Sequence, residues 1–386
     1  MDHDRNAAVR SEDLAAVPAS ATGVVVIDLA AIADNWRGLQ RLVDPAIAAA
    51  VVKADAYGLG ADRVIPALAA AGASVFFVAT LEEALQARTL APRATVMILD
   101  GVPPGAAEDI LASGAWPVLS SLPEVRDWAA LAGRVGRRLP AVLHVDCGLN
   151  RLGLSGREVQ ALAADMHVLD ALDVRLVMSH MACADEPGHP KNVQQLAVFS
   201  QLLPLLPTAP ASFAASDGLM LGPEFHFGMV RPGYALYGGQ AAPGRGCPVR
   251  PVVSVQARVL QVRDVAPGQT VGYAATYSPS HAARIAVIAG GYADGLPRHL
   301  SAASGQRTGW AAFGGRRAPI VGRVSMDLVT LDVSEIVDPS VARGDWAELV
   351  GPSITLEEMG ATAGTIGYEI LTRLGHRFHR LYLDGT

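Results

Sequence analysis

The chain has 386 residues, 51% hydrophobic and only 18% charged, with a formal net charge of −6 from 31 Lys+Arg against 37 Asp+Glu. Such a length leaves room for two domains, and such a composition excludes a predominantly disordered chain. The charge balance lacks the basic excess of a nucleic-acid binder, so the expected ligand is small and no nucleic acid is an expected partner.

A mean hydropathy of +0.28 raises the question of a membrane span. The longest uncharged stretch, 192–216, carries Gln194, Gln195, Gln201, Pro204, Pro207 and Pro210, whereas a spanning helix wants about 20 predominantly apolar residues in a row. No membrane association is expected. Residues 1–10 are polar and charged with no apolar run after them, so no targeting segment is read there. Cys147, Cys183 and Cys247 are widely spaced. They resemble neither a disulfide framework nor a metal site, and they point to a reducing cytoplasm with no metal.

In chain order, residues 1–22 read as a loose leader. A strand-like run at 24–28 precedes a helical pattern at 29–42. From residue 47 onward, short Val- and Ile-rich runs at 47–53, 74–79, 95–100, 116–120, 140–146, 174–180, 211–216 and 226–231 alternate with amphipathic stretches at 81–90, 106–112, 124–135, 157–169 and 192–206. Strands alternating with helices indicate βαβ units. Eight of them, over residues 23–250, predict a closed (β/α)8 TIM-like barrel. Past Pro248 the pattern changes to strands at 252–264, 284–289, 310–313, 328–333 and 346–350. These are separated by Gly and Pro turns, with a helix at 356–374 and a last strand at 377–384. Residues 251–386 are therefore expected to form a mostly β C-terminal domain, with which 24–28 could pair.

Catalytic groups of such barrels sit at the C-terminal ends of the strands. Lys53 closes the first run, and a lysine there is costly to bury as an ammonium, which suits it to Schiff-base chemistry; its other reading is a lysine that has simply reached solvent. After the seventh and eighth runs come Ser216-Asp217-Gly218 and Pro232-Gly233-Tyr234. Hydroxyl and backbone N–H groups there could cradle a phosphate, although Ser and Gly more commonly serve turns. A Schiff-base lysine and a phosphate cradle across one barrel mouth describe pyridoxal 5'-phosphate.

Seven blocks, in order, resemble the alanine racemase family. They are 52–58 (VKADAYG), 146–153 (DCGLNRLG), 179–186 (SHMACADE), 231–238 (RPGYALYG), 271–277 (VGYAATY), 291–295 (GYADG) and 322–327 (GRVSMD). The resemblance implies an alanine racemase that interconverts L- and D-alanine by a two-base mechanism and supplies D-alanine for cell-wall peptidoglycan. It implies that Lys53 holds the cofactor, and that Tyr57, Ser216, Gly233, Tyr234 and Tyr368 serve its phosphate. Arg231 is implied to face the ring nitrogen, and His180 to lie in a hydrogen-bonded chain with it. Arg151 would contact substrate carboxylate and cofactor, Met326 and Tyr292 would line the substrate pocket, and Lys53 and Tyr273 would be the two bases. Because Tyr273 and Met326 belong to the β domain, the family's arrangement implies a homodimer whose sites are shared between chains.

Three positions depart from the family pattern. Ala215 stands where Asn is usual, Ser325 where Cys is usual, and His144 where a carbamylated lysine often orients the arginine. An anchor for Arg151 is then expected from Asp146 or a bound anion such as chloride, or else Arg151 is held less tightly; the other reading is that His144 merely packs at the barrel mouth with no bearing on Arg151. The rival readings are a broad-specificity racemase of serine or other small amino acids, a barrel lyase with a metal pair, and a non-enzymatic cofactor carrier. The absence of cysteine after Cys247 speaks against the lyase and the presence of Tyr273 against the carrier.

Overall fold

The computed structural model describes residues 11–240, 247–306 and 309–384. The described residues fall into two units: 32–236, 240 and 247–249 form one, and 11–31, 237–239, 250–306 and 309–384 form the other. Ser11–Ala15 is a turn of helix (α1), and Val17 is buried against Val24 and Val26. Residues 11–21 are thus packed where the sequence suggests a loose leader; residues 1–10 lie outside the described residues.

β1 (Gly23–Asp28) and the helix α2 (Leu29–Val43) lead to the barrel. Its strands are β2 (Ile47–Ala48), β3 (Ala50–Val51), β4 (Val75–Val78), β5 (Thr95–Ile98), β6 (Trp116–Leu119), β7 (Leu139–His144), β8 (Leu172–Met178), β9 (Ala211–Ala215) and β10 (Met229–Arg231). β2 and β3 are two halves of one strand. The first pairs in parallel with β10 and the second with β4, so the order β2-β10-β9-β8-β7-β6-β5-β4-β3 closes on itself. The seam is completed by Ala49 N–H donating to Val230 O (2.9 Å) and Val51 N–H to Pro232 O (2.9 Å). Strands such as β4 (VFFV) are buried along their whole length, as strands covered on both faces must be. This is the expected (β/α)8 barrel.

A single helical turn α3 (Lys53–Gly58) follows β3, and α4 (Ala61–Ala71) follows it in turn. The remaining barrel helices are α5 (Leu81–Leu90), α6 (Ala107–Ser113), α7 (Leu122–Val135), α8 (Gly156–Ala164), α9 (Met166–Asp170) and α10 (Pro190–Leu202). Thr80, Ser121 and Ser155 cap α5, α7 and α8 with their hydroxyls, each accepting from the N–H three residues on. Those caps satisfy donors that the first turn leaves orphaned. The helix expected at 157–169 breaks at Asp165 into α8 and α9. The one expected at 192–206 ends at Leu202 and tightens into a 3-10 turn around Pro204.

In the other unit, β11 (Val253–Val265) is the spine, antiparallel to β1, to β12 (Ala283–Ala289) and to β16 (Trp346–Val350). β13 (Trp310–Phe313) and β14 (Arg316–Pro319) form a hairpin beside β16, β15 (Leu328–Asp332) pairs with β12, and β17 (His379–Leu383) runs parallel to β1. The helix expected at 356–374 is two, α11 (Leu356–Thr362) and α12 (Gly367–Thr372). Gly364 turns left-handed there (φ +69°), and a Cβ on Gly360 would lie 2.8 Å from the Ile366 carbonyl carbon. Among the described residues no helix is long and apolar enough to cross a membrane.

Candidate functional site

Lys53 lies two residues beyond β3 rather than on the strand, at the start of α3. This turn is left-handed: Ala54, Asp55, Ala56 and Tyr57 have φ of 53°, 54°, 54° and 57°. Four consecutive L-residues in that region cost about 1–2 kcal/mol each, so the turn is held from outside. Glu83 of α5 accepts from Ala54 N–H through Oε1 and from Ala79 N–H through Oε2, both at 2.7 Å. Asp55 Oδ1 accepts from Ala61 N–H at 2.7 Å, capping α4. Lys53 itself is half-buried, and its proton affinity lies below the ordinary lysine value, first through burial and then through the Arg151 guanidinium.

Past β9, the buried Ser216 hydroxyl accepts from Gly233 N–H (3.0 Å) and Ala235 N–H (3.2 Å). These two donors and the hydroxyl converge beside Tyr57: a Cβ added to Gly233 would lie 2.3 Å from the Tyr57 oxygen. Burial pushes the Tyr57 phenol up to about 12, which keeps it a neutral donor. Tyr234 is buried in the same loop.

Arg231 ends β10 fully enclosed, and its hydrogen bonds run to neutral acceptors. Nη1 donates to Ser212 Oγ (2.6 Å), and Nη2 to Ser179 O (2.6 Å), to Phe213 O (3.4 Å) and to His180 Nδ1 (3.3 Å). Burial lowers its pKa to about 10, so it remains a cation at neutral pH. His180 lies two residues past β8, and burial, then Arg231, pushes its pKa down to about 3. A neutral imidazole accepting at Nδ1 carries its proton on Nε2. His144 at the end of β7 is buried, shares a hydrogen bond between Nδ1 and Ser120 Oγ (3.1 Å), and falls to about 4, chiefly by burial and then Arg231.

Arg151 is exposed at the tip of the loop after β7. Asp146 does not anchor its guanidinium. Its Oδ1 instead accepts from Gly148, Leu149 and Asn150 N–H at 2.9, 3.0 and 3.1 Å, and so clamps the loop. Among the described residues no hydrogen bond or ion pair joins Asp146 to Arg151.

In the other unit the three C-terminal blocks converge. Tyr292 N–H donates to Ser325 O (3.1 Å) and Ala293 N–H to Met326 O (3.1 Å), and a Cβ on Gly291 would lie 2.2 Å from Ser325 O. Gly272 packs over Gly322 and Arg323, which brings the Tyr273 turn to the same segment. Tyr273 is 70% exposed, Met326 52% and Tyr292 44%. Arg377 spans Asp294 (2.7 Å) and Asp327 (2.6 Å), tying the last two blocks together. Tyr368 is half-buried on α12.

The structure thus joins Lys53, Tyr57, His180, Ser216, Arg231, Gly233 and Tyr234 in the barrel, and Tyr273, Tyr292 and Met326 in the other unit. Sequence reasoning missed Glu83, Ser212 and Ser120. Glu83 sits where a capping residue is expected, three after Thr80, and Ser212 is a lone hydroxyl in an apolar strand.

Lys53, with its lowered proton affinity, and the Ser216–Gly233–Ala235 cluster lie at the C-terminal ends of strands of one (β/α)8 barrel, where the active sites of barrel enzymes sit. The alanine racemase N-terminal domain matches residues 27–241 and its C-terminal domain residues 252–382. The chain belongs to the alanine racemase family. It is 46% identical to the alanine racemase of Rhodospirillum rubrum, covering 94% of this chain and 96% of that one. It is 44% identical to a catabolic alanine racemase of Mesorhizobium japonicum, over 95% of both. The Bartonella henselae alanine racemase, solved with covalently bound pyridoxal phosphate, superposes with a TM-score of 0.90 at 41% identity, covering 94% of this chain and 100% of that one.

Proposed function

We propose that this protein interconverts L- and D-alanine with pyridoxal 5'-phosphate as cofactor, using Lys53 and Tyr273 as its two bases in a cytoplasmic homodimer. The observation that carries the reading is the pairing of Lys53, depressed in proton affinity, with an enclosed Arg231 bonded to neutral acceptors. The residues present fit the cofactor. Ser216 Oγ and the Gly233 and Ala235 N–H groups suit a phosphate, Gly233 leaves the space that a Cβ would fill against Tyr57, and Tyr234 is buried in the same loop. When bound through Lys53, pyridoxal phosphate supplies an electron-withdrawing ring that acidifies the Cα proton of alanine.

The chain's own groups do the rest. Arg231, a cation at neutral pH, would face the ring nitrogen and hold it unprotonated, which would limit electron withdrawal and favour proton return over side reactions. Arg151 binds the substrate carboxylate. Lys53 moves the proton of the D-enantiomer and Tyr273, from a second chain, that of the L-enantiomer. One base on each face is the simplest way to invert Cα. Met326 and Tyr292 bound the pocket, and Tyr273 and Met326 are among the most exposed large side chains of their unit, as groups completing a neighbour's site would be. The unpaired thiols of Cys147 and Cys183 agree with a reducing cytoplasm.

Borohydride reduction followed by peptide mapping tests the cofactor assignment cleanly, because Lys53 and Lys191 are the chain's only lysines. Label is expected on Lys53; label on Lys191, or none, contradicts it. Tyr273→Phe should retain cofactor yet lose solvent exchange of the L-alanine Cα proton while the D-enantiomer still exchanges. Wild-type exchange of both enantiomers removes Tyr273 as a base.

We assign the physiological role to D-alanine supply for peptidoglycan. The relatives named catabolic, from Mesorhizobium and Agrobacterium, favour alanine breakdown as a second reading. Deletion of the gene separates the two: a D-alanine requirement supports the first, and loss of growth on alanine alone supports the second.

A further inference from the structure

We propose that Glu83 is a positioning residue for Lys53: its carboxylate bridges Ala54 N–H and Ala79 N–H, holds the left-handed turn that Lys53 opens, and places a negative charge beside the lysine. The proposal rests on the cofactor role of Lys53 argued above. Both bonds are 2.7 Å, short as charge-assisted bonds are. One ties the residue that follows Lys53; the other ties the residue just past β4, the strand beside β3. The lysine's platform is therefore riveted to the rigid sheet, against a backbone strain that four consecutive left-handed residues impose.

The molecule contains its own control. Glu124 of α7 stands in the same relation to its N-cap, Ser121, as Glu83 does to Thr80. It accepts from Ser120 N–H (2.8 Å) and, across to the preceding loop, from Val102 N–H (3.1 Å). The same clamp recurs, then, where the loop it holds carries no lysine. What distinguishes Glu83 is the group it holds. Lys53 is faced by Arg151 and Arg231, which weaken its hold on a proton, and by Asp100 and Glu83, which strengthen it. Of the two carboxylates, Glu83 is the one bonded to the lysine's own turn.

The test uses full-length protein loaded with pyridoxal phosphate and follows release of the cofactor by hydroxylamine through its visible absorbance. Glu83→Gln, which loses the charge and one of two accepting oxygens, should release cofactor about tenfold faster than wild type, the worth of one charge-assisted hydrogen bond. Glu124→Gln should release at the wild-type rate although its melting temperature falls by a similar amount. In Glu83→Gln the acid limb of D-alanine turnover should also move to lower pH, because a carboxylate that raises Lys53's proton affinity is gone. Glu83→Asp, which keeps the charge but shortens the reach, should retain the wild-type pH limb and still release cofactor faster. It decides the matter should the glutamine variant fail to fold. Unchanged release in the Glu83 variants, or equal acceleration in Glu124→Gln, overturns the proposal. A wild-type protein with no lysine-bound cofactor band overturns the underlying reading, and the proposal with it.

Discussion

His144 shows how a single buried side chain couples the site to solution. Enclosed and bonded to Ser120, it is held neutral, with burial pushing its pKa down to about 4. In the unfolded chain the same imidazole titrates near its ordinary value of 6.5. Between those values the unfolded state binds the proton and the folded state does not, so stability falls as pH drops from 6.5 toward 4. His180, at about 3, adds to the same slope. His144→Gln keeps a hydrogen bond for Ser120 and removes this titration. Its melting temperature should therefore decline less steeply than wild type over that window, and parallel curves would show that His144 is protonated in the folded protein. Lys53, Arg231 and Ser216 were legible as candidates because each ends an apolar run. Glu83 was not, because a glutamate three residues after a threonine reads as an ordinary cap whether or not it also reaches a neighbouring loop.

At the scale of elements, alternating apolar runs located all eight barrel strands to within a few residues, since burial on both faces demands continuous apolar sequence. What escaped were pieces governed by backbone rather than side-chain patterning. α4 carries Pro66 inside it, which masks its period. β14 opens with two exposed arginines and is defined by the Gly314-Gly315 turn, with φ of 53° and 83°. The left-handed α3 has no glycine until Gly58. That element makes an unusual prediction. Ala54 is exposed at φ 53°, so Ala54→Gly should raise stability or leave it unchanged by relieving strain of about 1–2 kcal/mol. Ala130→Gly, exposed within right-handed α7, should lower it by about 1 kcal/mol. Chemical denaturation of the two variants compares them directly, and a loss at Ala54 as large as at Ala130 would show that the turn is not under strain.

At the scale of the molecule, two units each hold part of the proposed machinery: Lys53, Arg151 and Arg231 in one, Tyr273, Tyr292 and Met326 in the other. If the site is shared between chains, mixing inactive Lys53→Ala with inactive Tyr273→Phe protein should restore some activity, because a hybrid dimer contains one site with both bases. No rescue, under conditions where labelled subunits demonstrably exchange, would mean that each site is built from one chain.

The sheet that contains β1 carries a consequence for synthesis on the ribosome. β1 lies between β11 and β17, paired with Val253–Val265 on one side and His379–Leu383 on the other. Its Val-Val-Val-Ile run leaves the exit tunnel more than 200 residues before its first partner does. At translation rates of about 5–20 residues per second it waits on the order of ten seconds or more, while the barrel folds behind it. Until the last strand is released from the ribosome, one edge of β1 stays open. A nascent chain stalled anywhere in the C-terminal unit therefore presents a sticky, unpaired apolar strand to chaperones and to neighbouring nascent chains.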